Sequence, residues 1–189
     1  MTTGSVSPRR ADTRRNHERI LAVAAETLAG TGEVSFNAIA KRAGVGVGTV
    51  YRHFPTPADL ILAVYEREVR HLVEVVPELL EQAGPAGAFR TWTTDHLAPY
   101  MMTKRGLAKA LAAATAQRGT LPAGAVQSIR DAMGTLLRAN VEAGSVRPDV
   151  DTETVMRGLL GLLHLDPDGD WQRESADLVD LVWRGIRAD

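Results

Sequence analysis

Cysteine is absent from this chain. Its absence excludes a disulfide scaffold, a cysteine nucleophile and a thiolate metal site, and it matches a reducing, cytoplasmic setting. Aromatic residues make up only 5% of the 189 positions, and runs of Val, Ile and Thr are scarce, so no segment reads as a strand. No stretch approaches the roughly 18 apolar residues of a membrane span. Residues Met1 to Asp12 also lack the apolar core of a secretory signal. Charge of one sign is not in excess, with 22 Lys+Arg against 23 Asp+Glu. The motifs of common enzymes are missing as well: there is no glycine loop following a strand, no G-x-S-x-G and no H-E-x-x-H. These absences predict a helical, non-enzymatic protein without cofactor or metal.

The charge becomes informative once the chain is divided. Residues 1–53 hold eight basic and four acidic groups, and the remainder holds 14 basic and 19 acidic. A basic head on an acidic body suits an anionic partner at one end only. Periodicity then places the elements. Residues 1–12 read as a flexible basic arm. A first helix follows Asp12 or Thr13, with Ile20, Ala24 and Leu28 on one face and Gly30 and Gly32 as its stop. A second runs from an N-cap at Ser35 to Ala43, ended by Gly44 in a left-handed conformation. A third spans about Val47 to His53. A fourth starts at Thr56-Pro57-Ala58-Asp59, which has the layout of a capping box. Pro77 kinks or ends it, and Gly84-Pro85 is the next break. Further helices are predicted near 88–101, 104–118, 122–143, 152–165 and 173–187. The predicted architecture is all-α: a three-helix head over 13–55 and a helical bundle over 56–189.

Val34 to Leu60 reads VSFNAIAKRAGVGVGTVYRHFPTPADL. Two helices joined by a tight glycine turn are the requirement of a helix-turn-helix, whose second helix enters the major groove. Val50 and Phe54, four apart, anchor that short helix inward. Val47, Gly48 and Thr49 sit at its start, and Gly48 lets backbone approach DNA closely. Thr49, Tyr51 and His53 offer donors to phosphate oxygens, and Arg52 is suited to a bidentate contact with a guanine edge.

The run I-A-x-x-A-G-V, then G-T-V-Y-x-H-F, then the capping box resembles the DNA-binding domain of TetR-family transcriptional regulators over about residues 14–65. The resemblance implies a homodimer, a palindromic double-stranded DNA operator and a small-molecule pocket in the C-terminal half. Carried over by position, it implies that Ser35 and Asn37 contact phosphate, with a base edge as the second reading for that pair. It also implies that Val47, Gly48 and Thr49 lie against the groove, that Tyr51 and His53 hold phosphates, and that Arg52 reads bases. Two positions depart from the family pattern. Pro57 stands where many members direct a lysine at phosphate, and Gly46-Val47-Gly48 is small and apolar for a recognition helix. Arg9, Arg10, Arg14 and Arg15 leave two readings open: backbone or minor-groove contacts, or a solvated arm.

In the C-terminal body, Phe89, Trp92, His96 and Tyr100 share a helical face at spacings of three and four. With Met133, Asn140 and His164 they are the expected lining of a pocket for a lipophilic ligand, and for any single one of them plain core is the other reading. Asn140 stands in register with apolar neighbours, so its amide needs partners or a ligand. Val155, Leu159, Leu162 and Leu163 on one helix, and Leu178, Leu181, Val182 and Ile186 on the last, form the expected dimer interface, a four-helix contact between two copies, with packing inside one subunit as the other reading. Asp166-Pro167-Asp168-Gly169-Asp170 opens like a calcium loop, but Trp171 replaces the required glycine and Asp177 the usual glutamate, so it reads as a solvated connection. The functional expectation is a ligand-released repressor. The alternative is an activator or partner-recruiting regulator without a small-molecule ligand.

Overall fold

A computed structural model of the chain describes residues 8–31, 34–103 and 124–188. The helix expected at 104–118 and the arm before residue 8 lie outside the described residues. Eight α-helices, a π-helical turn and a 3₁₀ turn are described, and no strand occurs among the described residues. The described residues fall into two compact units divided within the fourth helix, one up to Arg67 and the other made of residues 68–103 and 124–188.

The first unit opens with α1, Pro8–Thr31. This corrects the reading of residues 8–12 as arm: Pro8 needs no helical hydrogen-bond donor at the first position, so the helix starts there. Ile20, Leu21, Ala24 and Leu28 are buried along its inner face. α2, Phe36–Ala43, begins where the Ser35 side chain accepts from the Ala38 N–H. It ends at Gly44, whose φ of 63° and ψ of 38° let its N–H reach the Ala40 and Lys41 carbonyls. A side chain with a Cβ would be strained there, which is why glycine closes this turn. α3 spans Val47–His53, with Val50 and Phe54 buried as the spacing requires. α4, Pro57–Glu74, is started by a reciprocal capping box. Asp59 Oδ2 accepts from the Thr56 N–H at 2.9 Å, and Thr56 Oγ1 accepts from the Asp59 N–H at 3.2 Å.

In the second unit, α5 runs over Val76–Thr91 with Pro77 in its first turn. The chain breaks inside it at Gly84, where φ 67° and ψ 173° are non-helical. A π-helical turn, Trp92–Leu97, continues α5, and residues 98–103 are helical again. The hydroxyls explain the widening. Thr93 donates to the Phe89 carbonyl at 2.7 Å and Thr94 to the Arg90 carbonyl at 2.9 Å, competing with the backbone ladder. α6 is Ala125–Glu142. α7, Thr152–Leu159, is capped by the Asp151 side chain accepting from the Thr154 N–H and passes into a 3₁₀ turn, Leu160–His164. α8 is Trp171–Ile186. Asp166 begins the connection between them as an Asx turn, its Oδ1 accepting from the Asp168 N–H at 3.0 Å.

This unit is built around Phe89, Trp92, Leu97, Met133, Leu136, Leu159 and Leu162, all fully buried. Phe89 packs on Trp183 with ring centroids 5.3 Å apart. The outer side of Trp183 carries Arg90, which is also hydrogen-bonded to Asp180 at 3.0 Å. The loop after α6 is tied to the end of α8 by Arg147 N–H to Ile186 O and Ala188 N–H to Ser145 O, both 3.0 Å.

Candidate nucleic-acid interface

α3 has one buried anchor and an outward face. Val50 has no exposed surface, while Tyr51 is 54% and Val47 39% exposed. Gly48 and Arg52 are exposed, Thr49 and His53 half-buried, and Ser35 and Asn37 exposed at the start of α2. All eight predicted contact residues therefore belong to one unit and keep surface outside its core. A Cβ added at Gly48 would meet nothing within 4 Å. Packing within the chain does not demand glycine there, and the space outside it is open to a partner.

Two of these side chains are braced. Arg52 donates to Thr49 Oγ1 at 3.0 Å, which lays the guanidinium back along the helix. Tyr51 meets Phe36 edge to face at 4.8 Å, so the first residue of α2 orients a ring of α3. The pair is held to α1 as well, because Arg42 of α2 donates to Glu26 at 2.7 Å and to Thr27 at 2.9 Å. A rigid support of this kind is what a base-reading helix requires.

Sequence reasoning missed His17. Its ring stacks on Phe54 at 5.0 Å and meets His53 at 5.3 Å. Burial first, then His17, then Arg52 hold the His53 pKa below its ordinary value of 6.5. Nothing in the sequence pairs residues 36 positions apart, and the α1–α3 packing alone brings them together.

The ligand residues predicted for the body are placed unevenly. Phe89, Trp92, Tyr100, Met133 and Asn140 are buried in the core of the second unit. The polar tip of Trp92 is engaged, its indole N–H donating to the Leu72 carbonyl at 2.7 Å. Asn140 donates from Nδ2 to the Pro85 and Leu136 carbonyls, both at 2.8 Å. It thereby clamps the Gly84-Pro85 break to α6. Its Oδ1 is buried and accepts no hydrogen bond from the described residues. His164 is a correction: it is exposed on the 3₁₀ turn and not among core residues. The tighter turn after Leu159 rotates it away from the face that continuous α-helix would have given it.

His96 is half-buried, and its Nδ1 lies 3.0 Å from Nε2 of His71, a partner the sequence did not suggest. Burial first and His71 second lower the His96 pKa, while Asp95 acts to raise it. A lowered folded value means that the unfolded chain binds more protons just below pH 6.5. The stability this site contributes is complete above that pH and is lost as pH falls toward the folded value. The urea midpoint is therefore expected to be lower at pH 5.5 than at pH 7.5. In His96→Gln, which does not ionise, that difference should shrink. An equal loss in the variant would refute the assignment.

The predicted dimer stripe is corrected in part. Val155, Leu159, Leu162 and Ile186 are buried within their own unit, whereas Leu163, Leu178 and Val182 are half-buried. Leu181 is 67% exposed, and Leu160, which the prediction left out, is also exposed. An apolar stripe wide enough for two faces does not tell its inner half from its outer half. Beside this surface lies an open pocket of about 350 Å³, floored by Val155, Gly158, Val182 and Ile186 and rimmed by Arg147 and Asp151. None of the predicted ligand residues lines it.

Known proteins share both parts of the chain. Residues 20–64 match the family described as bacterial regulatory proteins, tetR family. Residues 84–188 match the C-terminal domain of SbtR-like transcriptional regulators. A TetR transcriptional regulator from Streptomyces coelicolor is 36% identical, with a TM-score of 0.84 over 90% of this chain and 97% of that one. A TetR regulatory protein from Mycobacterium vanbaalenii is 35% identical, with a TM-score of 0.74 over 96% of this chain and all of its own. An HTH-type transcriptional regulator of Staphylococcus aureus is 39% identical over 62 residues. That match spans 32% of this chain and only 34% of the regulator's length.

Proposed function

The chain belongs to the TetR family of bacterial DNA-binding transcriptional regulators, and from that premise we propose that it is a homodimeric repressor, released from a palindromic operator by a small lipophilic ligand. The outward face of α3 carries the reading: an inward anchor at Val50 leaves Val47, Gly48, Tyr51 and Arg52 on the surface. In the proposed division, residues 13–55 read DNA and residues 56–189 bind ligand and dimerise, in the cytoplasm. Arg52 supplies base discrimination, Tyr51 and His53 hold phosphates, and Ser35 and Asn37 add contacts at the start of α2. The buried, unpartnered Asn140 Oδ1 supports a ligand that donates a hydrogen bond there, among Phe89, Trp92, Tyr100 and Met133. The exposed Leu160 and Leu181 support an interface between copies across α7 and α8. A ligand releases such a dimer only by binding its two arrangements unequally, and a difference of about 1–3 kcal/mol is enough for a useful response.

The test is fluorescence anisotropy of the protein on a labelled duplex from the DNA upstream of its own coding sequence, against a scrambled duplex, across a salt titration. Specific binding that weakens steeply with salt is expected. Arg52→Ala should lose about 1–3 kcal/mol of discrimination between the duplexes, whereas Tyr51→Ala should weaken both alike. The reverse pattern would exchange the two roles, and equal feeble binding to both duplexes would count against this operator.

A further inference from the structure

Resting on the reading of α3 as the DNA-contacting helix, we propose that His53 and His17 form a proton-linked clamp for a backbone phosphate. His53 takes up a proton as the phosphodiester binds, and His17 positions its ring. His53 is the last residue of α3, and the chain closes behind it with the Phe54 N–H donating to the Val50 carbonyl at 2.8 Å. Phe54 is buried and fixed. His17 stacks on that ring with planes 28° apart, and it meets His53 at 60°. The end of the recognition helix is thus held by a ring of α1, and two imidazoles stand together beside the phosphate-holding position.

The ionisable groups acting on the His53 ring are His17 from α1 and Arg52 from its own helix. Glu18, the carboxylate next to His17 in sequence, is taken up by Arg67 of α4 at 3.4 Å. Burial first, then His17 and Arg52, disfavour the charged imidazole and hold His53 in the free protein toward its neutral form. A neutral imidazole donates a single hydrogen bond. The protonated ring donates from both nitrogens and places a positive charge against the anion. A phosphate in contact therefore favours protonation in the bound state alone. By linkage the complex tightens as pH falls, with a limit of about tenfold per pH unit for one proton.

The experiment measures Kd on the upstream duplex and on its scrambled counterpart from pH 8 to pH 6, at fixed ionic strength so that counterion release is constant. Wild-type Kd should fall about three- to tenfold over that interval. His53→Gln should bind more weakly at pH 6 with a flat profile. His17→Gln removes a neighbouring imidazole together with the ring packed beside His53, both of which disfavour protonation, and should displace the midpoint to higher pH. His164→Gln, exposed in the other unit, should keep the wild-type slope. An NMR titration of the His53 Cε1 proton should move to higher pH when duplex is added. A His53→Gln profile parallel to wild type, or an NMR titration unmoved by DNA, overturns the clamp. Binding by the wild type that ignores pH overturns the clamp and leaves the DNA reading standing. No binding to either duplex at any pH and low salt overturns the DNA reading, and the clamp with it.

Discussion

Trp92→Ala should lower the free energy of unfolding by about 3–5 kcal/mol, a large share of what a domain of this size possesses. The indole is fully buried at the start of the π-helical turn, so truncation removes apolar contact on every side and leaves a cavity. It also removes the donor to the Leu72 carbonyl in the last turn of α4, and a buried acceptor without its donor adds a further penalty. Trp92→Phe separates the two causes, because it keeps most of the ring and deletes only the N–H. Urea unfolding of both variants reads the result. A loss below about 1 kcal/mol in Trp92→Ala would mean that the site collapses around the smaller side chain and that the core is less rigid than its packing implies.

If the protein dimerises across α7 and α8 as proposed, Leu181→Glu should convert that dimer to a monomer. Leu181 stands 67% exposed on α8, and Leu160, Gly158 and Gly185 are also exposed. Glutamate at such a position leaves the isolated protomer unharmed, so circular dichroism should not change. Across a symmetric contact each copy would bring a carboxylate against the other, and burying that pair is strongly unfavourable. Operator affinity should fall with dimerisation, by roughly 10²–10⁴-fold, because the second half-site then gains nothing from the first. Sedimentation velocity measures the first effect and anisotropy the second. A wild-type monomer, or a variant that remains a dimer, would remove α7 and α8 from the proposed interface.

The head was legible in the sequence to a degree that the body was not. The Ser35 cap, the Gly44 turn, the Val50 and Phe54 anchors and the Thr56–Asp59 box are all local devices, each settled within about four residues by propensity or a short hydrogen bond. The structure realises every one of them. In the body, Phe89, Trp92, His96 and Tyr100 were recognisable as one helical face, yet their spacing carries no statement about what they face. The π-helical turn shifts the register of that face, and its cause, paired threonine hydroxyls bonding carbonyls, has no spacing rule strong enough to announce it. Likewise, Val155 and Leu181 had the same hydrophobic credentials, and only packing divided them into core and surface.

The sequence by itself determined an all-α chain, a helix-turn-helix over Val34 to Leu60, its family, and which side of α3 faces outward, because these follow from interactions between near neighbours. Tertiary structure alone decided three further things: the stacking of His17 on Phe54 beside His53, the pairing of His71 with His96, and the choice of which leucines α7 and α8 leave on the surface. Each depends on residues brought together from different helices. Contacts of that kind arise from how side-chain volumes fill shared space, and a one-dimensional pattern does not encode that filling position by position.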